Sequence, residues 1–240
     1  GPCAYNPEPL AEFFDMFYIG EGEVRYDELF ELYKSCKKEG KSRVEFLRQA
    51  SQIEGLYVPL LYKTDYDDEG LIKSFAPLYE AVPEVIRRQV VTEMDEVNFI
   101  NKPVVPFIKV TQDRVVLELM RGCIRGCRFC QAGFVYRPLR EHSVEYLKNY
   151  AFTMLEITGA EEISLSSLSS SDYSNLGKLL EFLIEYTGKH GINISLPSLR
   201  IDAFSLDIMK RVQDVKKSSL TFAPEAGSQR LRDVINKGIS

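Results

Sequence analysis

The chain is 240 residues long, 45% hydrophobic and 27% charged, with 30 Lys and Arg against 35 Asp and Glu for a formal net charge of −5. That length and apolar content suit one core of α/β size, or such a core with a small attachment, and the net acidity argues against a chain-wide polyanion-binding surface. No apolar run approaches the roughly 20 residues of a membrane span and no N-terminal stretch reads as a signal peptide, so no membrane association is expected and the expected location is cytoplasmic.

The chain opens Gly1-Pro2-Cys3 without an initiator methionine and stops at Ser240 directly after a helix-like segment, and so reads as a piece of a longer protein. Glu8 to Phe14 and Tyr26 to Cys36 read as helices, with Phe17-Tyr18-Ile19 as a short strand between them that Gly20 and Gly22 end. From Leu56 to about residue 110 the prolines at 59, 77, 83, 103 and 106 break any period, which predicts connecting strands and loops rather than a second compact core. The acidic run Asp65 to Glu69 reads as a solvated hairpin tip or loop.

From residue 115 onward strand-like and helix-like segments alternate. Val115 to Leu119 is a strand leading into a cysteine-rich loop. Ser143 can cap a helix with Val144, Leu147, Ala151, Met154 and Leu155 on one face, and Gly159 can end it. Glu162 to Leu165 is the next strand, followed by a serine-rich loop and a helix carrying Leu176, Leu179, Leu180, Leu183 and Ile184, with Gly188 and Gly191 closing that unit. Ile192 to Leu196 is a third strand, a helix follows from Ser205, Leu220 to Ala223 is a fourth strand, and Gln229 to Lys237 a last helix. Such repetition predicts a parallel sheet with right-handed crossovers, whose ligands sit beyond the carboxyl ends of the strands. The cysteine loop, Ser166 to Asp172, Pro197 to Asp202 and Pro224 to Ser228 all fall there.

Three of the five cysteines, Cys123, Cys127 and Cys130, stand within eight residues. An odd count with a cluster does not resemble the framework of a small secreted domain, and the three read as ligands. Cys3 and Cys36, far away in sequence, read as buried small hydrophobes without a chemical role. Structural zinc needs four ligands, and here only His142 could join the three thiols. A zinc-stabilised binding module and an iron–sulfur electron-transfer protein with a fourth ligand therefore stay open beside an enzyme. Arg121, Arg125, Arg128, Arg137 and Arg140 form a local basic patch that can offset the charge of a thiolate-ligated cluster or bind a polyanion such as RNA, the latter not favoured.

The stretch Cys123-Ile124-Arg125-Gly126-Cys127-Arg128-Phe129-Cys130 resembles the CxxxCxxC signature of the radical S-adenosylmethionine (AdoMet) superfamily, and its place after a first strand is similar too. The resemblance covers residues 108–240 and implies an α/β fold, the first four units of a six-unit partial (β/α) barrel. It implies that Cys123, Cys127 and Cys130 hold three irons of a [4Fe-4S] cluster. AdoMet would chelate the fourth, and one electron from a donor such as flavodoxin or ferredoxin would release a 5′-deoxyadenosyl radical that abstracts hydrogen from a substrate. By the same resemblance Phe129 lies near the adenine, Ser166 and Ser167 replace the usual glycine-rich acidic segment at the AdoMet amino group, Arg200 clamps the carboxylate and Glu225 meets the ribose or the amine. Residues 1–24 resemble the end of a cobalamin-binding-type domain and residues 25–107 read as a helical and irregular connector. The resemblance is to the branch of the superfamily with such an N-terminal domain; cobalamin is not expected on this piece, though a full-length protein of that branch could hold it. The implied activity is radical modification of an unknown substrate, with methyl or methylthio transfer as one option.

Overall fold

Odd-numbered residues of the first parallel strand face a helical layer and even-numbered ones face away, and that alternation sets the sheet on which the cysteine loop is mounted. A computed structural model describes residues 2–97, 100, 102–108, 110–197, 200, 210 and 222–239. Contacts gather the chain into two units, Gly1–Thr92 and Glu93–Ser240.

In the first unit, β1 (Phe17–Tyr18) pairs antiparallel with β2 (Leu56–Tyr57), bracketing helices α1 (Tyr26–Lys38) and α2 (Arg43–Ala50). The connector expected from residue 25 thus packs with the first residues around a core of their own, including Phe17, Leu47, Tyr57, Val58 and Leu61. Helix α2, which the sequence reading passed over, starts at a capping box: the Ser42 side chain accepts from the Glu45 N–H, and the Glu45 carboxylate accepts from Ser42. The helix expected over Glu8 to Phe14 is instead a 3-10 turn at Glu8–Leu10 followed by turns. Pro9 supplies no N–H, and the bonds that form there span three residues, as from Leu10 N to Pro7 O. Strands β3 (Tyr62–Tyr66) and β4 (Ile72–Pro77) form a hairpin, and the acidic run reaches into its tip, where Asp67 accepts from the N–H groups of Glu69 and Leu71.

In the second unit, β5 (Val115–Glu118) pairs in parallel with β8 (Glu162–Ser166), which pairs in parallel with β9 (Asn193–Ser195). Helices α4 (Val144–Thr158) and α5 (Leu176–His190) cover one face. Val115, Leu117, Ile163, Leu165 and Ile194 of the sheet meet Leu147, Ala151, Leu179, Leu180 and Leu183 of the helices in one buried cluster. Ser143 caps α4 through the Tyr146 N–H, and Gly159 ends it at φ 66°. Gly188 lies inside α5, and Gly191 at φ 68° stops it.

A feature absent from the sequence reading is the antiparallel pair β6 (Met120–Arg121) and β7 (Arg140–Glu141), which closes the cysteine segment into a loop; the short helix α3 (Ala132–Val135) lies inside it. The helix expected from Ser205 and most of the strand Leu220 to Ala223 lie outside the described residues. The last helix spans Gln229–Val234, shorter than expected, because Asn236 adopts φ 53° and turns the chain out of the helix. Among the described residues no helix is long and apolar enough to cross a membrane.

Candidate functional site

The cysteine loop leaves β6 at Gly122, whose φ of +89° favours glycine. A Cβ there would stand 2.7 Å from both the Pro138 and the Tyr136 carbonyl oxygens, so the start of the loop lies against its own return arm. That arm is held by Arg140, itself buried, whose Nε donates to Pro138 O at 3.0 Å. Cys127 is buried, while Cys123 and Cys130 are half-buried. Backbone amides donate to two of the sulfurs: Arg125 N to Cys123 Sγ and Gly133 N to Cys130 Sγ, each at 3.4 Å.

The arginines of this region have partners within the protein. Arg121 grips the Glu118 carboxylate with two nitrogens, at 3.0 and 2.9 Å. Arg125 does the same to Asp172, Nε at 2.9 Å and a second nitrogen on the other oxygen. Arg128 donates its backbone N–H to Ile235 O at 2.9 Å and its guanidinium to Val234 O. Arg137 reaches Arg125 O and lies 4.6 Å over the Phe134 ring. The basic patch seen in the sequence is therefore spent largely on holding the loop, which accounts for it without a nucleic acid.

Ser166 ends β8, and its carbonyl accepts from the Leu119 N–H. Ser167 Oγ sits 3.0 Å from Ser170 Oγ and accepts from Ser169 N, so this hydroxyl is part of the serine turn itself. The acid of that turn, Asp172, also accepts from Ser169 Oγ at 2.7 Å. Burial would raise the Asp172 pKa, but the bonds from Arg125 and Ser169 outweigh it and hold the carboxyl below its usual range. Arg200, expected as a carboxylate clamp, is buried; its N–H donates to Ser171 Oγ at 2.8 Å and its guanidinium to Lys237 O at 2.9 Å. Arg200 thus ties the serine turn to the end of the described chain.

Glu225, at φ 68°, pairs with Lys237 Nζ at 3.1 Å, and that ammonium lies 5.8 Å from the centre of the Phe129 ring. Lys237 therefore links two positions expected at AdoMet. Asn236 Nδ2 donates to Gly126 O at 2.8 Å, fastening the same segment to the cysteine loop. The sequence reading gave neither Lys237 nor Asn236 a role at the site; no local pattern marks one, since their contacts arise from a turn that Asn236 and Gly238 make at positive φ. Asp172 was visible as the acid closing the serine run, but nothing local paired it with Arg125, 47 residues away.

His142 does not complete a zinc site. Its Nδ1 is 3.1 Å from Asp95 Oδ1, its ring stacks on Tyr146 at 4.3 Å, and burial pushes its pKa down. Among the described residues no three His, Cys, Asp or Glu side chains converge around a single ion. Three thiols stand on one loop, and two of them accept backbone N–H bonds.

Residues 117–240 match the family model described as "Radical SAM superfamily", and residues 1–59 the one described as "Radical SAM proteins, N-terminal". The chain is 29% identical over 240 residues to "Uncharacterized protein MJ0966" of Methanocaldococcus jannaschii, covering 100% of this chain and 45% of that protein. It is 27% identical over 133 residues to "Putative methylthiotransferase MJ0865" of the same organism, covering 52% of this chain and 29% of that protein. The chain spans less than half the length of either relative.

Proposed function

The chain belongs to the radical SAM superfamily, and on that premise we propose that Cys123, Cys127 and Cys130 hold a [4Fe-4S] cluster whose open iron takes AdoMet, for radical modification of a substrate. Enzymatic activity in general follows from the family; the cofactors, the reaction outcome and the partners are the proposal. The observation that carries it is the cysteine loop: three thiols and no fourth, with backbone N–H bonds already aimed at Cys123 and Cys130. When bound, cluster and AdoMet supply a one-electron reductive cleavage that yields a carbon radical for hydrogen abstraction.

The protein's own residues bind, orient and exclude water. Amide bonds to two sulfurs, together with the Arg128 guanidinium, offset thiolate charge, while Arg125 is paired with Asp172. Phe129 presents a ring to the adenine, with Lys237 fixing its neighbourhood and holding Glu225 for the ribose or amine. Ser166 and Ser167 border the same end of the sheet, where Ser167 contributes through the shape of its turn. Arg200 supports the site by bracing the Ser171 turn and the Lys237 carbonyl. The barrel expected over residues 108–240 supplies this frame. Methylthio or methyl transfer is one option for the outcome, since one relative bears the name "Putative methylthiotransferase MJ0865". A low-potential flavodoxin or ferredoxin supplies the electron, in the cytoplasm. No cobalamin is placed on these residues; residues 1–24 are read as the end of a cobalamin-binding-type domain.

Anaerobic reconstitution with iron and sulfide, then electron paramagnetic resonance of the reduced protein with and without AdoMet, tests the reading. A [4Fe-4S] signal that shifts on adding AdoMet supports it. An unchanged signal would sink it in favour of electron transfer, and zinc in place of iron would sink it in favour of a zinc-stabilised binding module. Cys127→Ala is expected to abolish cluster binding, and an intact cluster in that variant would refute the ligand assignment.

A further inference from the structure

We infer that Asp172 and Arg125 are a positioning pair that sets the cysteine loop for its cluster, so that the acid after β8 serves the loop and not the AdoMet amino group. The inference rests on the proposed function for what the loop holds. Arg125 stands between the first two cysteines, and its N–H donates to Cys123 Sγ at 3.4 Å. Its side chain crosses to the neighbouring strand-end loop and meets both oxygens of Asp172. Two parallel bonds fix the plane of a guanidinium as well as its distance.

The pair differs from an ordinary surface bridge. The Asp172 side chain is only 5% exposed against 31% for Arg125, so the carboxylate is the buried, immobile partner, and screening by water does not dissolve the contact. The same carboxylate accepts from Ser169 Oγ, and the Ser169 N–H bonds Ser167 Oγ in turn. The serine turn thus holds Asp172, Asp172 holds Arg125, and Arg125 carries the amide that faces Cys123. With both oxygens engaged by these donors, Asp172 has little surface left to offer an ammonium. Outer partners of this kind orient metal ligands, and their loss typically costs roughly 10- to 100-fold in metal affinity.

The test uses Asp172→Asn, Arg125→Ala and the double variant. Three quantities are read: iron and sulfide retained against a chelator after anaerobic reconstitution, the response of the loaded fraction to AdoMet by paramagnetic resonance, and the rate of Cys123 alkylation in the cluster-free chain. Hydrogen exchange in α4 checks that the unit stays folded. Each single variant is expected to lose cluster about 10-fold more readily and to label faster at Cys123. The double variant is expected to be no worse than the poorer single, as for two residues acting through one contact, while the cluster that remains still responds to AdoMet. Wild-type retention and labelling in both singles would overturn the pair. Full retention with a lost AdoMet response in Asp172→Asn would overturn it too, making Asp172 an AdoMet contact. If Asp172→Asn unfolds the unit, Arg125→Lys, which keeps the charge and loses the fork, decides by the same readouts. An unmutated chain that takes up no cluster would count against the proposed function alone, since Cys123 labelling still decides the pair.

Discussion

Gly122→Ala isolates how tightly the cysteine loop folds back on itself. A non-glycine residue in the left-handed region costs roughly 1–2 kcal/mol, and here the new methyl would also stand 2.7 Å from two backbone carbonyl oxygens and 3.0 Å from Leu139 Cα. Backbone atoms cannot swing aside as a side-chain tip does, so overpacking adds roughly 1–3 kcal/mol. The sum, about 2–5 kcal/mol, is a large part of a typical domain stability. Gly159→Ala is the matched control: φ is +66° and nothing lies within 4 Å of the added methyl, leaving only the conformational cost. Urea titration followed by hydrogen exchange at the amides of α4 and β8 reads the second unit alone. Gly122→Ala should lower its stability by the larger amount and Gly159→Ala by about 1–2 kcal/mol. Equal losses would refute the argument, because the close approach of the return arm would then contribute nothing.

Leu183→Ala removes a side chain with no exposed surface from the seam between α5 and the sheet; a loss of roughly 2–5 kcal/mol is expected in the same exchange assay. His142 has a folded-state pKa pushed below its ordinary 6.5 by burial, which outweighs the pull of Asp95 and Glu118. The unfolded chain therefore binds the proton more tightly, and the second unit should be fully stable above pH 6.5 and weaken as pH falls below it. His142→Gln should flatten that slope, whereas the Asp95 contribution, with its pKa held below 3.8, is lost only in stronger acid. Arg140→Lys keeps the charge but abandons carbonyls of the return arm, and it should speed exchange through residues 122–139 by an amount equivalent to about 1–3 kcal/mol.

The parallel sheet was legible because its signals are local. The apolar stripe of α4 and its Ser143 cap were visible as a pattern, as was the Gly191 stop. The cysteine spacing was equally plain, since Cys123, Cys127 and Cys130 lie within a single loop. What escaped notice was non-local or short. Strands β6 and β7 are two residues each and are joined only by their pairing. The partner of Arg125 lies in another strand-end loop, and Lys237 reaches Phe129 only because Asn236 turns the chain. Helix α2 is a different case: its Ser42 and Glu45 signature is local and present in the sequence. Arg200 is a further non-local case: its guanidinium meets the Lys237 carbonyl, 37 residues away, which no local pattern shows.

The arginines show why charge alone misleads in such a loop. Between Gly122 and Leu139 the backbone has little regular structure, so its carbonyls must find donors elsewhere. A guanidinium offers five N–H groups in a fixed fork, enough to join two carbonyls or both oxygens of a carboxylate. Arg140 joins the Pro138 and Tyr136 carbonyls, Arg137 takes that of Arg125 and Arg128 that of Val234. Arg140 and Arg137 replace ladder bonds the loop cannot make, while leaving positive charge on the loop that carries the three cysteines. Those two services require the same residue type, so a loop of this kind is rich in arginine whether or not its substrate is a polyanion.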